Sequence, residues 1–287
     1  MFPSAHEVEV LVDRALQEDA FGTDVTTSAL ISPDLKARAV IISKEPGIIA
    51  GLGVSAKTFE RVDPQLQVVF KTSDGASVHD GEILGSVFGS MSSILIAERT
   101  ALNLLQRMSG IATITSEYVK IVEEFKAEIA DTRKTAPGLR IFDKYAVSVG
   151  GGRNHRMNLS DGVLIKDNHL AALKNEGIDL GQSIRLARSR APHTVRIEVE
   201  VDSISSALTA AESGADIVML DNMSPEDMSI AVERISDKCL IEASGGITLE
   251  NVISVARSGV DIISVGALTH SPRAMDISLD YEPIFDQ

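Results

Sequence analysis

The chain predicts an α/β fold, an irregular or incomplete (β/α) barrel preceded by an α+β segment. Three observations carry this. After about residue 127, apolar strand-like runs alternate with amphipathic helical stretches, the pattern of parallel strands joined by crossover helices. The clear strands number six, against eight in a complete barrel. Each ends in polar residues or glycine: Asp131 and Arg133, Lys166, Glu198 and Glu200, Asp221 and Asn222, Ser244, and Gly266. The strand ends of a barrel all converge on one site, whereas those of an open doubly wound sheet, which the alternation also allows, converge only near its switch point.

Taken in order, AHEVEVLVDRALQED at 5–19 has its apolar positions spaced for an amphipathic helix. FGTDVTTSALISPD reads as a polar loop, and LKARAVIISKEPGIIA as strands broken by a turn at Glu45-Pro46-Gly47. VSAKTFERVD reads as a helix, and residues 65–89 as short strands joined by glycine turns. Residues 90–126 read as two helices meeting near Ser109-Gly110. Strands and helices are segregated here, as in α+β structure. The six later strands are AEIADTR, GVLIKDN, TVRIEVEVD, ADIVMLDN, KCLIEASGG and VDIISVGA. Between them lie GQSIRLARSRA, SISSALTAAESG, SPEDMSIAVERIS and TLENVISVARSG, two of which end at glycine as helix caps do.

Composition narrows the function classes. With 41 Asp+Glu against 27 Lys+Arg, aromatics at 4% and no Trp, the chain is poorly equipped for nucleic acid or an anionic membrane. Its single cysteine, Cys239, excludes an internal disulfide and a cysteine-rich zinc site and reads as an inert core thiol. The N-terminus lacks the basic and apolar regions of a signal peptide, and no apolar run approaches the ~20 residues a membrane helix needs. The expectation is a cytoplasmic protein.

Against that acidic background, residues 131–169 carry seven Lys/Arg and four Asp. A solvated face suits Arg140 and Lys144, on the helix expected after Pro137. It suits Arg133, Lys134, Arg156 and Lys166 less well, since they follow apolar strands or sit in a glycine-rich loop. A lysine ending a buried strand needs an anionic partner or loses its charge. Arg133 and Arg156 can grip carboxylates or phosphates with paired bonds, Lys134 and Lys166 act as point charges, and His155 offers a further donor. The segment therefore reads as a site for a small anion.

Glu198 and Glu200 alternate with Ile197, Val199 and Val201, so both point the same way, and Asp221 ends the next strand. These acids suit a divalent metal held through oxygen, with magnesium the best fit. They suit an ion-pair network with Lys166 and Arg133 equally, and the pattern alone does not choose. Ser244-Gly245-Gly246 and Val265-Gly266-Ala267 follow strands and suit a backbone phosphate site, as they suit ordinary βα turns. Gly51-Leu52-Gly53-Val54-Ser55-Ala56 matches a dinucleotide fingerprint, but no clean βαβ unit follows it. A Schiff-base enzyme using Lys166 and a non-catalytic phosphometabolite-binding protein compete with an anion-transfer enzyme at this level.

DTRKTAPGLR and GGGRNHRMNLSDGVLIKDNH strongly resemble the quinolinate phosphoribosyltransferases, or carboxylating nicotinate-nucleotide pyrophosphorylases. AERTALNLLQRMSGIAT, EVEVD, MLDN, EASGGI and SVGALTHS resemble that family's other segments in its order. The likeness runs from GTDVTT to the C-terminus. It implies an incomplete α/β barrel at 109–270 and an N-terminal α+β sandwich at 1–108, joined by the tail 271–287. It also implies a homodimer, or a higher oligomer built of dimers, whose active sites are shared, with Arg99 contributed across the interface. Thr132, Arg133, Lys134, His155, Arg156 and Lys166 would then bind quinolinate or the phosphates of phosphoribosyl pyrophosphate. Glu200, with Glu198 as the alternative, and Asp221 would hold the ribose hydroxyls and Mg2+. Ser244, Gly245, Gly246, Val265, Gly266 and Ala267 would grip the ribose phosphate. Lys166, Glu200 and Asp221 are the expected catalytic residues. The implied reaction yields nicotinate mononucleotide, pyrophosphate and carbon dioxide, a step toward NAD.

Overall fold

The computed structural model describes residues 2–19 and 24–282. The chain divides into two compact units, Met1–Ser116 with Thr135–Gly151 and Thr269–Gln287, and Glu117–Lys134 with Gly152–Leu268.

The first unit opens with α1 (Ala5–Asp19), where Ser4 and Glu7 form a capping box and Val8 and Val12 are buried. Residues 20–23, which include the start of the expected polar loop at Phe21, lie outside the described residues. The rest of that loop is partly helical: Asp24 accepts from the N–H groups of Thr26 and Thr27 and starts the short α2 (Val25–Leu30). Then follow β1 (Lys36–Ser43), β2 (Gly47–Ile48), α3 (Leu52–Val62), β3 (Gln67–Phe70), β4 (Ser77–Val78) and β5 (Ile83–Ser90).

The helix α4 (Met91–Val122) runs unbroken through Ser109-Gly110, where two helices were expected. A Cβ on Gly110 would lie 2.0 Å from the Arg273 carbonyl oxygen, so glycine serves a close approach there and not a helix end. Ser109 Oγ is committed to the Ala50 backbone at 3.1 and 3.2 Å. The apparent dinucleotide fingerprint also has a local explanation. Asp74 accepts the N–H groups of Gly51 and Leu52 at 3.0 Å, so the start of α3 already holds its own carboxylate.

In α5 (Arg140–Val149), Phe142, Asp143, Lys144, Ala146 and Val147 make one buried face. Lys144 is fully buried and not on a solvated face, because that stripe is wide enough to include it. Arg140 is half-buried and donates from Nε to Thr135 Oγ1 at 3.0 Å.

The second unit carries β6 (Glu128–Ala130), β7 (Val163–Ile165), α6 (Asp167–Lys174), α7 (Leu180–Arg190), β8 (Ile197–Val201), α8 (Ile204–Glu212), β9 (Ile217–Asp221), α9 (Pro225–Ile235), β10 (Leu240–Ser244), α10 (Val252–Arg257) and β11 (Ile262–Ser264). After α11 (Ala267–His270), β12 (Ile277–Glu282) returns to the first unit, whose antiparallel sheet has the order β12-β1-β5-β3. Ile41, Leu84, Val87 and Leu279 of that sheet share a core with Phe59 of α3 and Ile94, Ala97 and Leu105 of α4. The tail's last residues, 283–287, lie outside the described residues.

All six strands of the second unit pair in parallel, in the order β6-β11-β10-β9-β8-β7. The ring stays open between β6 and β7, which is the incomplete barrel. Sequence-local signals set its helices. Asp179 with Gln182 caps α7, Ser203 caps α8, and Ser224 with Pro225 starts α9. Gly214 and Gly259, just past α8 and α10, both have φ of 87°, a left-handed cap that suits glycine. Among the described residues no helix is long and apolar enough to cross a membrane.

Candidate active site

A cavity of about 570 Å³ opens at the C-terminal ends of the parallel strands, wholly within the second unit. Thr132, Arg133 and Lys134 reach it from the end of β6, and Lys166 from the end of β7. Glu200 of β8, Asp221 of β9 and Ser244, Gly245 and Gly246 of β10 complete the expected set on its wall.

His155 and Arg156 arrive on an irregular segment. Arg153 bonds backbone to backbone with Ile129 at 2.8 Å and Asp131 at 3.1 Å, laying the segment beside β6. The fully buried Asp131 then accepts from Asn154 Nδ2 and the His155 N–H, each at 2.8 Å. Arg153 itself pairs with Glu128 at the surface. Arg156 donates to the Gly162 carbonyl at 3.2 Å. Burial, and then the neighbouring charge of Arg133, hold its pKa below the usual arginine value. The buried Nε of Arg133 has no hydrogen-bond partner. Two guanidinium groups that repel one another over a cavity make a receptor for a compact anion.

The acids divide by depth. Glu200 forms an ion pair with Lys166. Glu198, two residues back on the same face, is buried and lies 3.1 Å from His155 Nε2, while Glu242 of β10 lies 3.6 Å from the same nitrogen. Burial pushes the Glu198 carboxyl up, opposed by its bond to His155. For His155, burial would lower the pKa, but Glu198 and Glu242 outweigh it and lift it to about 10. The Arg156 N–H sits 2.8 Å from Nδ1, a contact that suits an unprotonated Nδ1. The two carboxylates facing Nε2 favour the imidazolium, and in that form a protonated Nδ1 no longer accepts the Arg156 N–H, so this contact has to open.

His155, Glu198 and Glu242 are, among the described residues, the trio of metal-ligating side chains close enough to share an ion. Glu200 and Asp221 offer hard oxygen donors from neighbouring strands, the donor chemistry that suits a cation such as magnesium. Asp221 accepts from Asn222 Nδ2 at 2.8 Å.

Some expected residues lie elsewhere. Glu198 is beneath the wall, in contact with His155. Val265, Gly266 and Ala267 are not on the wall: the Val265 N–H continues the sheet by donating to the Ala130 carbonyl at 2.9 Å, and Ser264 lines the cavity in their place. Arg99 is exposed on α4, in the first unit. Leu164, Met219, Asn222, Glu242 and Ser264 join the lining without having been assigned to the site. Glu242 did carry a signal, a carboxylate inside an apolar strand in phase with Ser244. Asn222 has φ of 54° and fills the space against Gly245. Cys239 is half-buried just before β10, and burial followed by the nearby acids Asp261 and Asp237 pushes its thiol up to about 11. It is therefore an unreactive thiol.

Comparison with known proteins agrees with this architecture. The sequence profile of the quinolinate phosphoribosyl transferase C-terminal domain matches residues 111–280, and that of the N-terminal domain matches residues 24–109. The probable nicotinate-nucleotide pyrophosphorylase (carboxylating) of Bacillus subtilis (strain 168) is 40% identical over 274 residues, covering 96% of this chain and 93% of the relative. The nicotinate-nucleotide pyrophosphorylase (carboxylating) of Mycobacterium leprae (strain TN) is 42% identical over 275 residues, covering 94% of this chain and 95% of its own. The crystal structure of NadC from Streptococcus pyogenes superposes with a TM-score of 0.93 at 38% identity, covering 99% of this chain and 100% of the other.

Proposed function

The chain belongs to the quinolinate phosphoribosyltransferase family, and on that premise we propose how its residues carry the reaction. The enzyme transfers a phosphoribosyl group from phosphoribosyl pyrophosphate to quinolinate with decarboxylation, a pentosyl transfer in NAD biosynthesis. Arg133 and Arg156 take the two adjacent carboxylates, with Lys134 and His155 adding positive charge. Glu200 and Asp221 hold the ribose hydroxyls. Ser244, Gly245 and Gly246 hold the ribose phosphate, with the 265–267 turn beside them. Lys166 exchanges Glu200 for the anionic reactants.

The pyridine nitrogen supplies its lone pair to the anomeric carbon while the carbon–oxygen bond to pyrophosphate breaks. The protein positions the two reactants and neutralises the leaving charge. Glu200 and Asp221 would hold magnesium, which when bound would supply further neutralisation of the pyrophosphate. The ring nitrogen is then cationic. It stabilises the electron pair left on the ring carbon when carbon dioxide departs, and a proton completes nicotinate mononucleotide.

The convergence of Arg133 and Arg156 on one cavity, with the charge of Arg133 acting against that of Arg156, is the observation that most favours a doubly anionic substrate. We further propose a homodimer in which Arg99 of the partner subunit completes each site, a cytoplasmic location, and neither nucleic-acid nor membrane partners. Incubation with quinolinate, phosphoribosyl pyrophosphate and Mg2+ should give nicotinate mononucleotide, pyrophosphate and carbon dioxide. Absence of the nucleotide, or its formation from nicotinate without carbon dioxide, refutes the reading.

A further inference from the structure

We propose that Glu242 is a positioning residue for this reaction: together with Glu198 it clamps His155 Nε2 at the cavity floor and fixes the cation that meets the substrate acid. The inference rests on the quinolinate-transfer reading above. Glu242 is fully buried, yet it lines a cavity whose substrates are anions. An uncompensated buried carboxylate there would repel both reactants, so its place requires a local task.

The geometry supplies that task. Oε1 of Glu242 accepts the Ser264 hydroxyl from the neighbouring strand β11, which sets the plane of the carboxylate. Oε2 accepts no hydrogen bond and faces His155 Nε2 at 3.6 Å. Glu198 approaches the same nitrogen at 3.1 Å. One imidazole therefore spans β8 and β10, two strands separated by β9.

The clamp also anchors the main chain. Asp131 holds the His155 N–H, and the His155 ring ties the segment that presents Arg156 to the cavity floor. Arg156 is repelled by Arg133 and attracted by Glu198, so its position depends on that floor staying in place. The charged groups facing His155 are Glu198 from β8, Glu242 from β10, Asp131 after β6 and Arg156 on its own segment.

The test compares wild type with Glu242→Gln, which keeps the shape and can keep the Ser264 bond. KM for quinolinate should rise about tenfold or more, with KM for phosphoribosyl pyrophosphate within about twofold and kcat falling less. The Glu242→Gln effect should largely vanish in a His155→Gln background, because both changes remove one interaction. An equal rise in both KM values, an unchanged quinolinate KM, or additive effects would overturn the proposal. Independently of turnover, histidine-selective 15N NMR should show the His155 midpoint lower by about one pH unit or more in Glu242→Gln. An unmoved midpoint overturns the clamp. A midpoint moved by Glu242→Gln, together with a wild type that does not turn over quinolinate, refutes the functional reading instead. If Glu242→Gln fails to fold, Ser264→Ala, which releases the anchor of Glu242 and takes one hydroxyl from the cavity wall, must give the same quinolinate-selective KM change in smaller measure, and no change there, or an equal change in both KM values, counts equally against the proposal.

Discussion

Lys166 closes an ion pair onto Glu200, joining the ends of the adjacent strands β7 and β8 at the cavity wall. Each neutralises the other in the free chain, and an arriving anion competes with Glu200 for the lysine. The Lys166 side chain is 42% exposed, so it contributes little to stability. Lys166→Met should therefore fold normally and lose about 10²–10³-fold in kcat, the scale for one preorganised donor to a developing charge. Initial rates beside a thermal melt check this. A variant with near-wild-type kcat removes Lys166 from the chemistry.

The raised pKa of His155 makes stability depend on pH in a defined direction. Its ordinary value is 6.5 and its folded value about 10. A folded state that holds the proton more tightly is favoured most below 6.5, and the advantage shrinks through the interval and disappears above about 10. The gap in melting temperature between wild type and His155→Gln should narrow steadily from pH 6.5 to 10. A gap that is constant or widens over that range contradicts the imidazolium assignment.

Asp143 is a structural carboxylate. It has no exposed side-chain surface, and burial pushes its pKa up against the opposing effect of Arg107. Arg107 grips both of its oxygens at 2.9 Å, and the Ala136 N–H adds a bond at 3.3 Å. Asp143→Ala leaves the arginine without its partner and should cost about 3–5 kcal/mol. Denaturant unfolding measures this, and a loss below about 1 kcal/mol would mean that the pair behaves like an exposed one.

Gly245 tests the backbone part of the site. Its φ is 90°, and a Cβ there would lie 2.3 Å from Asn222 Oδ1. Gly75 has the same φ, but a Cβ at that position would meet nothing within 4 Å, so it serves as the control for strain alone. Gly245→Ala should displace Asn222 beside Asp221 and cut kcat/KM for phosphoribosyl pyrophosphate about 10²-fold. Gly75→Ala should cost about 1–2 kcal/mol of stability and leave kcat/KM unchanged. Equal kinetics for the two variants would exclude a phosphate-gripping role for Gly245.

The parts of this protein that were readable in its sequence are those fixed by local pattern. The alternation of Ile197, Glu198, Val199 and Glu200 already put two carboxylates on one face of β8; Glu200 reaches the cavity wall and Glu198 lies beneath it against His155. Arg133, Lys166 and Asp221 were readable because a charge ending an apolar strand has few other places to go. What escaped depends on neighbours remote in sequence. Gly110 looked like a helix break because its reason is the carbonyl of Arg273. Lys144 looked solvated because the width of the buried stripe on α5 is set by packing. Glu242 stood out only as a carboxylate in an apolar run, and its approach to His155 is visible only once β8, β9 and β10 are side by side.

Arg99 and Lys166 provide the sharpest test of a site shared between subunits. Arg99 is exposed on α4 and has no place on the cavity wall of its own second unit, whereas Lys166 stands on that wall. If the partner subunit's Arg99 completes the site, Arg99→Ala and Lys166→Ala homodimers are each inactive, for defects carried in different halves of the same site. Mixing them makes half of the exchanged dimers heterodimers. Within each heterodimer one site collects both defects and the other collects neither. About a quarter of wild-type activity should therefore return on complete random exchange. Recovery should track the heterodimer fraction, measured by pulling down one tagged chain and quantifying the other. If exchange is demonstrated and activity stays at the level of the parent variants, the two residues act in the same site of one chain or Arg99 is not part of it, and the borrowed-arginine arrangement is wrong.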